Sequence, residues 1–150
     1  MTPTLKSLGQ TELEAVVRRW QGVLGLADWT VRLGLVKVKR PFQSGDIKVD
    51  SVHKTALLLL SDTPFQNEEK TIVHEPVHVI LWPLDMATMD LVEAVGPDSL
   101  PAREFARSAV FRALEPVTEQ LAAALLRAPG CTGLDSAGTG SRTACQRFIW

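Results

Sequence analysis

Apolar residues recur along the first half of the chain with two different periods, and these periods predict its secondary structure. Helical spacing over residues 11–24 predicts an amphipathic helix whose apolar stripe is Leu13, Val16, Val17, Trp20, Val23 and Leu24. Thr11 and Glu14 are spaced as a capping box at its start, and Gly25 follows its end. Alternation over residues 29–38 predicts a half-buried strand, followed by strands at 47–49 and 54–60, the last largely buried.

Capping residues and prolines divide the second half into predicted helices. Thr63 or Asn67 would cap a helix that ends at Trp82, because Pro83 follows. A short helix over 86–95 and a long helix over 101–127 follow, separated by a Gly-Pro-Asp-Ser break. The pattern predicts an α+β fold in which a small twisted β-sheet packs on helices. Residues 1–128 would form this domain, and the Gly/Ser/Thr-rich residues 129–150 a flexible C-terminal tail.

Composition narrows the class of protein. A net charge of −1 provides no basic surface, so we expect no nucleic-acid partner. No apolar run reaches the length of a membrane span, and the first residues lack the apolar core of a signal peptide, so we expect a cytoplasmic protein without membrane contact. The two cysteines, Cys131 and Cys145, match no short metal-binding spacing and are expected to be free thiols.

One five-residue segment, His74-Glu75-Pro76-Val77-His78, carries candidate chemistry. On a helix, residues four apart lie on the same face, so both imidazoles can bind one zinc ion. Glu75 lies beside that site and can accept a proton from metal-bound water as a general base. The segment matches the H-E-x-x-H pattern of zinc peptidases.

Two histidines do not complete a catalytic zinc site, which usually has three protein ligands. No histidine follows His78, and Leu84 occupies the position of the third histidine of metzincins, which excludes that arrangement. The third ligand would be one of five remaining residues: His53, Glu93, Glu104, Glu115 or Glu119. Glu115 and Glu119 are four apart, so one could bind the metal while the other orients a histidine.

The chain resembles the minigluzincins, small gluzincin-type zinc metallopeptidase-like proteins often encoded by phages and prophages. The resemblance covers residues 12–127 and includes the segment 20–29, the segment 71–85 around the motif, and Leu114-Glu115-Pro116-Val117-Thr118-Glu119-Gln120-Leu121-Ala122. It implies a zincin-like fold, Zn²⁺ held by His74, His78 and Glu115, and Glu119 behind the ligands. It also implies hydrolysis of a peptide or protein substrate with Glu75 as the catalytic base.

The sequence departs from the family pattern at three points. Glu75 and Glu115 are each followed by proline, which disfavours a helix at the preceding residue and would place Glu115 at a bend. The chain has no tyrosine, whereas gluzincins commonly use a tyrosine or histidine to stabilise the oxyanion. Two alternatives therefore stand beside a peptidase: a catalytically silent zinc-binding interaction or regulatory domain of a phage, and a metal-free structural protein.

Two further expectations concern single segments. We expect the first turn of the motif helix, Glu68-Glu69-Lys70, to be solvated. The 56–60 strand would align a substrate by backbone pairing if it lies at the edge of the sheet.

Overall fold

The structure is a computed structural model and describes residues 9–37, 45–61, 68–95 and 99–128. Within these ranges the elements are, in chain order, α1 (Gln10–Val23), β1 (Thr30–Val36), β2 (Gly45–Asp50), β3 (Thr55–Ser61), α2 (Glu68–Val95) and α3 (Leu100–Arg127). The predicted α+β class is confirmed. The predicted caps at Thr63 and Asn67, both cysteines and the predicted tail lie outside the described residues.

Helix α1 buries the apolar stripe that its sequence predicts, but it begins earlier than predicted. Leu13, Val16, Val17 and Trp20 are buried in the core. The N-terminal cap is Gly9 and not Thr11, because the Glu12 carboxylate accepts a hydrogen bond from the Gly9 N–H at 2.8 Å. Gly25 follows the helix with φ of +69°, a conformation that glycine adopts without a steric penalty.

The three strands form one mixed sheet in the order β1-β3-β2. β3 pairs in parallel with β1 and antiparallel with β2, with Leu58 opposite both Leu33 and Ile47. Ala56, Leu58 and Leu60 are buried, as expected for the middle strand of a small sheet. The condition under which residues 56–60 would align a substrate, a position at the sheet edge, is therefore not met, and the edge strand beside α2 is β2.

Helix α2 runs without interruption through Pro76 and Pro83, so the two predicted helices ending at Trp82 and covering 86–95 are one. Each proline removes one backbone hydrogen bond at a cost of about 3 kcal/mol. Packing outweighs this local preference, since the Pro76 ring is fully buried and α2 lies against α3, β2 and α1.

Helix α3 is also continuous, and Pro116 lies inside it. Glu115 is therefore in the middle of a helix and not at the bend that the sequence suggested. The two helices are antiparallel, because Glu93 near the end of α2 pairs with Arg103 near the start of α3, whereas His74 pairs with Glu119. The α2–α3 pair can thus be described as a helical hairpin.

The first turn of α2 is anchored to α1 through a buried tryptophan. Trp20 is fully buried, and its Nε1–H donates to Glu69 Oε1 at 3.1 Å. Arg19 donates to the same oxygen at 3.1 Å and lies over the Trp20 ring. The expectation of a solvated first turn is wrong for Glu69, which positions the N-terminal half of α2. Across the described ranges, no helix has the length and apolar character needed to cross a membrane.

Candidate metal centre

The helical hairpin brings His74, His78 and Glu115 together. The two histidines lie one turn apart on α2, and Glu115 faces them from α3. One candidate ligand atom from each residue lies within 4.8 Å of the other two, and all three side chains are partly buried. The motif indicated the two histidines, and the resemblance implied Glu115 from the Glu115 and Glu119 pair. The structure places these three residues in one cluster.

The distances within the cluster are close to the ligand separations of a tetrahedral ion, and each imidazole faces a different oxygen of Glu115. His74 Nε2 and His78 Nε2 are 3.2 Å apart. Glu115 Oε1 lies 3.3 Å from His78 Nε2, and Glu115 Oε2 lies 3.5 Å from His74 Nε2. A tetrahedral zinc ion with bonds of about 2.0–2.1 Å holds its ligand atoms about 3.3–3.4 Å apart. Two imidazoles and one carboxylate also match the donor types that zinc prefers, so this set of residues could hold the ion.

Glu119 fixes the orientation of the His74 ring. Its Oε2 lies 3.2 Å from His74 Nδ1, and its other oxygen pairs with Lys70. An ionised carboxylate only accepts hydrogen bonds, so the hydrogen of the neutral ring is on Nδ1 and the lone pair on Nε2 points into the cluster. The Lys70 ammonium lowers the pKa of Glu119, which keeps it ionised for this role. Glu119 thus has the geometry of an orienting residue behind the ligands.

Lys70 was missed by the sequence reasoning, which treated it as part of a solvated turn. The sequence position of Lys70 could have indicated this contact. Lys70 precedes His74 by four residues, so both side chains lie on the face that α2 presents to Glu119.

The second histidine, His78, lies in surroundings that disfavour its charged form. Burial lowers its pKa, and the negative charge of the neighbouring Glu115 opposes this shift. Burial disfavours the charged imidazolium and therefore favours the neutral ring. Only a neutral imidazole has a lone pair available for a metal, so the surroundings of His78 favour its ligand form.

Glu75 lies next to the cluster in a confined site. It is 8% exposed, and burial raises its pKa to about 8, with the charges of Asp46 and Glu115 acting in the same direction. A cation bound between His74, His78 and Glu115 would favour the ionised carboxylate through its positive charge. The structure thus places the predicted base one residue from a ligand, in a helical backbone that Pro76 does not disrupt.

Gly45, at the start of β2, allows the sheet edge to approach Glu75 closely. A Cβ atom at this position would lie 3.0 Å from Glu75 Oε1 and 2.7 Å from Thr71 Cγ2, closer than side chains normally pack. The absence of a side chain therefore brings the edge strand onto the helix at the candidate base. No local pattern could have indicated this contact, since it joins residues thirty positions apart in different elements.

The other candidate ligands lie elsewhere. His53 bonds the Asp50 carboxylate at 2.8 Å in the turn between β2 and β3. Glu93 pairs with Arg103 and Arg107 at the far end of the hairpin, and Glu104 is exposed on α3. None of the three belongs to the cluster formed by the described residues.

The chemistry and geometry of this site are the basis for a proposal of function. Comparison with models of protein families gave no match for this chain, and comparisons with curated proteins and with solved structures gave none either.

Proposed function

We propose that the protein is a zinc-dependent metallopeptidase of minigluzincin type. The observation that carries this proposal is the cluster of His74, His78 and Glu115, whose mutual distances of 3.2–3.5 Å suit a tetrahedral ion, with the buried Glu75 beside it. Bound zinc would supply Lewis acidity, polarising the substrate carbonyl and lowering the pKa of a coordinated water to about 7. The remaining chemistry would belong to the side chains of this chain.

Glu75 would act as the proton carrier. Its carboxylate would take a proton from the water that attacks the scissile carbonyl and then donate it to the leaving amine nitrogen. Glu119 would hold the His74 ring, and Gly45 would keep the edge strand close to the Glu75 carboxylate. An extended substrate would pair with the outer edge of β2, to which no other strand of the described residues is paired, since β3 is already paired on both sides.

One aromatic residue on each helix lies one turn beyond the cluster. Trp82 follows His78 by four residues and Phe111 precedes Glu115 by four, so the antiparallel helices place them in the next layer of the hairpin. Phe111 is 61% exposed, and Trp82 is half-buried. These rings offer an apolar wall beside the scissile bond, so we expect a preference for apolar peptide side chains.

A catalytically silent zinc-binding domain, with an interaction or regulatory role, is the second candidate. The observation in its favour is the lack of an obvious oxyanion-stabilising group, because the chain has no tyrosine and His53 is engaged with Asp50 in a turn. The continuity of α2 and α3 removes the other argument for it, since neither proline breaks a helix.

Peptide hydrolysis at defined zinc content separates these two candidates. We expect protein loaded with one equivalent of zinc to cleave members of a mixed peptide library, with products identified by mass spectrometry. Removal of the metal by a chelator should stop cleavage, and one equivalent of zinc should restore it. Stoichiometric zinc binding without any cleavage would instead favour the silent domain, and failure to bind zinc would reject both.

A further inference from the structure

The face of α2 that carries the two histidines continues to Asp85. Asp85 follows His78 by seven residues, which is close to two full helical turns, so the two side chains lie almost in line along the helix. Both residues are half-buried. Burial lowers the pKa of His78, and the negative charge of Asp85 acts against this shift. Asp85 is therefore within electrostatic reach of the metal cluster.

Asp85 has no partner of its own in the part of the chain that the structure describes. It makes no hydrogen bond and no ion pair there. On the facing helix, Arg103 and Arg107 are engaged with Glu93, and Arg112 is exposed and forms no ion pair with Asp85. A half-buried carboxylate without a partner costs free energy, and a cationic ligand would remove this cost.

The charges around the cluster favour a cationic ligand. The two positive charges of a bound zinc ion would be balanced by the carboxylates of Glu75 and Glu115, and the lysine–glutamate pair that orients the first histidine is neutral as a whole. Asp46 on β2 contributes a further negative charge, which after burial is the next cause of the raised pKa of Glu75. Asp46 and Asp85 thus remain as two negative charges that the site does not compensate.

Aromatic side chains lie between the cluster and Asp85. Trp82 is one turn beyond His78 and three residues before Asp85, and Phe111 is one turn from the cluster on α3 and 61% exposed. A ligand that passes from the cluster to Asp85 would therefore contact apolar rings first and a carboxylate last. Arginine and lysine have this order of chemistry, since an aliphatic stem carries a cationic head that also binds to aromatic rings.

We propose that Asp85 selects peptides that carry arginine or lysine beside the scissile bond, an inference that rests on the proposed peptidase function. The point midway between His74 and His78 is roughly 13 Å from Asp85 along the helix. An extended basic side chain reaches roughly 9 Å from the scissile carbonyl, and an ion pair adds about 3 Å. The Asp85 side chain leans toward the N-terminus of α2 and shortens this distance further. Leucine would contact the rings without reaching Asp85, and glutamate would be repelled.

Binding of peptides to the zinc-loaded Glu75→Gln protein tests this proposal without requiring hydrolysis. Three fluorescent alanine-based peptides, which differ only by arginine, leucine or glutamate at the central position, are compared by anisotropy up to about 1 mM protein. We expect the arginine peptide to bind about tenfold more tightly than the leucine peptide, and the glutamate peptide to bind most weakly. The preference for arginine should decrease as salt is added, because the ion pair is partly exposed.

Substitutions at Asp85 should change this order of affinities. Asp85→Asn keeps the shape of the side chain and removes its charge, so the ratio of arginine to leucine affinity should fall by about tenfold. Asp85→Lys should reverse the order and favour the glutamate peptide. Asp90→Asn is the matched control, because Asp90 is an exposed aspartate on the same helix about a third of a turn away from the histidine face. It should keep the preference for arginine. Circular dichroism and zinc content check that each variant is folded and loaded.

Three results would overturn the proposal. Equal affinity for the arginine and leucine peptides, or no binding of either, would show that the cleft does not recognise a basic side chain. An unchanged preference in Asp85→Asn would place the recognition elsewhere. An equal loss in Asp46→Asn would show that total negative charge, and not Asp85, selects the peptide.

Hydrolysis by the wild-type protein separates this proposal from the proposed function. Binding of the arginine peptide through Asp85 without any cleavage would reject the peptidase and support the recognition. Cleavage at equal rates beside arginine and leucine would support the peptidase and reject the role of Asp85.

Discussion

Replacing Glu75 by glutamine should abolish peptide hydrolysis and leave zinc bound. Glutamine has the shape of glutamate, so it should fit beside Gly45 and Thr71 without moving the edge strand. It cannot carry the proton from water to the leaving amine, and general acid–base catalysis typically contributes about 10²–10⁴-fold. We expect kcat/KM to fall by at least that factor while zinc content stays at one per chain.

The matched control for this variant is Glu93→Gln. Glu93 lies on the same helix and is paired with Arg103 and Arg107 at the far end of the hairpin, so its loss should leave hydrolysis unchanged. The melting temperature of metal-free Glu75→Gln should not fall near neutral pH. Burial raises the pKa of Glu75 to about 8, so the carboxyl is mostly protonated there, and glutamine replaces it with another neutral group of the same shape. Unchanged turnover in Glu75→Gln, at equal zinc content, would show that Glu75 is not the base.

Replacing both His74 and His78 by alanine should eliminate stoichiometric zinc binding. Small protein zinc sites bind with roughly 10–16 kcal/mol, and this variant loses two of the three protein ligands. We expect the dissociation constant, measured by competition with a chromophoric chelator, to rise by at least about 10⁴-fold. His53→Ala should bind zinc like the wild type, because His53 contacts Asp50 and not the cluster. Full zinc occupancy in the double variant would show that zinc does not bind at this site.

Replacement of Glu115 and replacement of Glu119 should change the zinc dissociation constant by different amounts in the same assay. Glu115 faces both imidazole Nε2 atoms, whereas Glu119 contacts Nδ1 of His74 only. Glu115→Ala should therefore lose most of the affinity, and Glu119→Ala should lose about 10–100-fold, as expected for a residue that orients a ligand. The opposite order would identify Glu119 as the third ligand.

The elements that could be predicted from the sequence are those fixed by local periodicity. The stripe from Leu13 to Trp20 predicted α1, and alternation predicted β1, because burial of one face follows directly from the spacing of apolar residues. The short apolar run over residues 54–60 predicted β3. The candidate metal ligands could be predicted from residue spacing in the same way. His74 with His78 and Glu115 with Glu119 are pairs four residues apart, so each pair had to share a helix face.

The features that could not be predicted depend on contacts between distant segments. Strand order places β3 between β1 and β2, and the apolar run that predicted β3 does not reveal which strands lie beside it. Local rules for proline predicted an end to α2 before Pro83, but packing against α3, β2 and α1 sustains the helix. The approach of Gly45 to Glu75 likewise arises only when β2 is placed against α2.

X-ray absorption spectroscopy at the zinc edge tests the central claim most directly. The wild-type protein, purified without added metal and then given one equivalent of zinc, should show only nitrogen and oxygen ligands at about 2.0–2.1 Å, with the scattering pattern of two imidazoles. The chain also contains Cys131 and Cys145, which provide a distinct alternative. Sulfur scattering at about 2.3 Å, or a spectrum without two imidazoles, would contradict a zinc site formed by His74, His78 and Glu115.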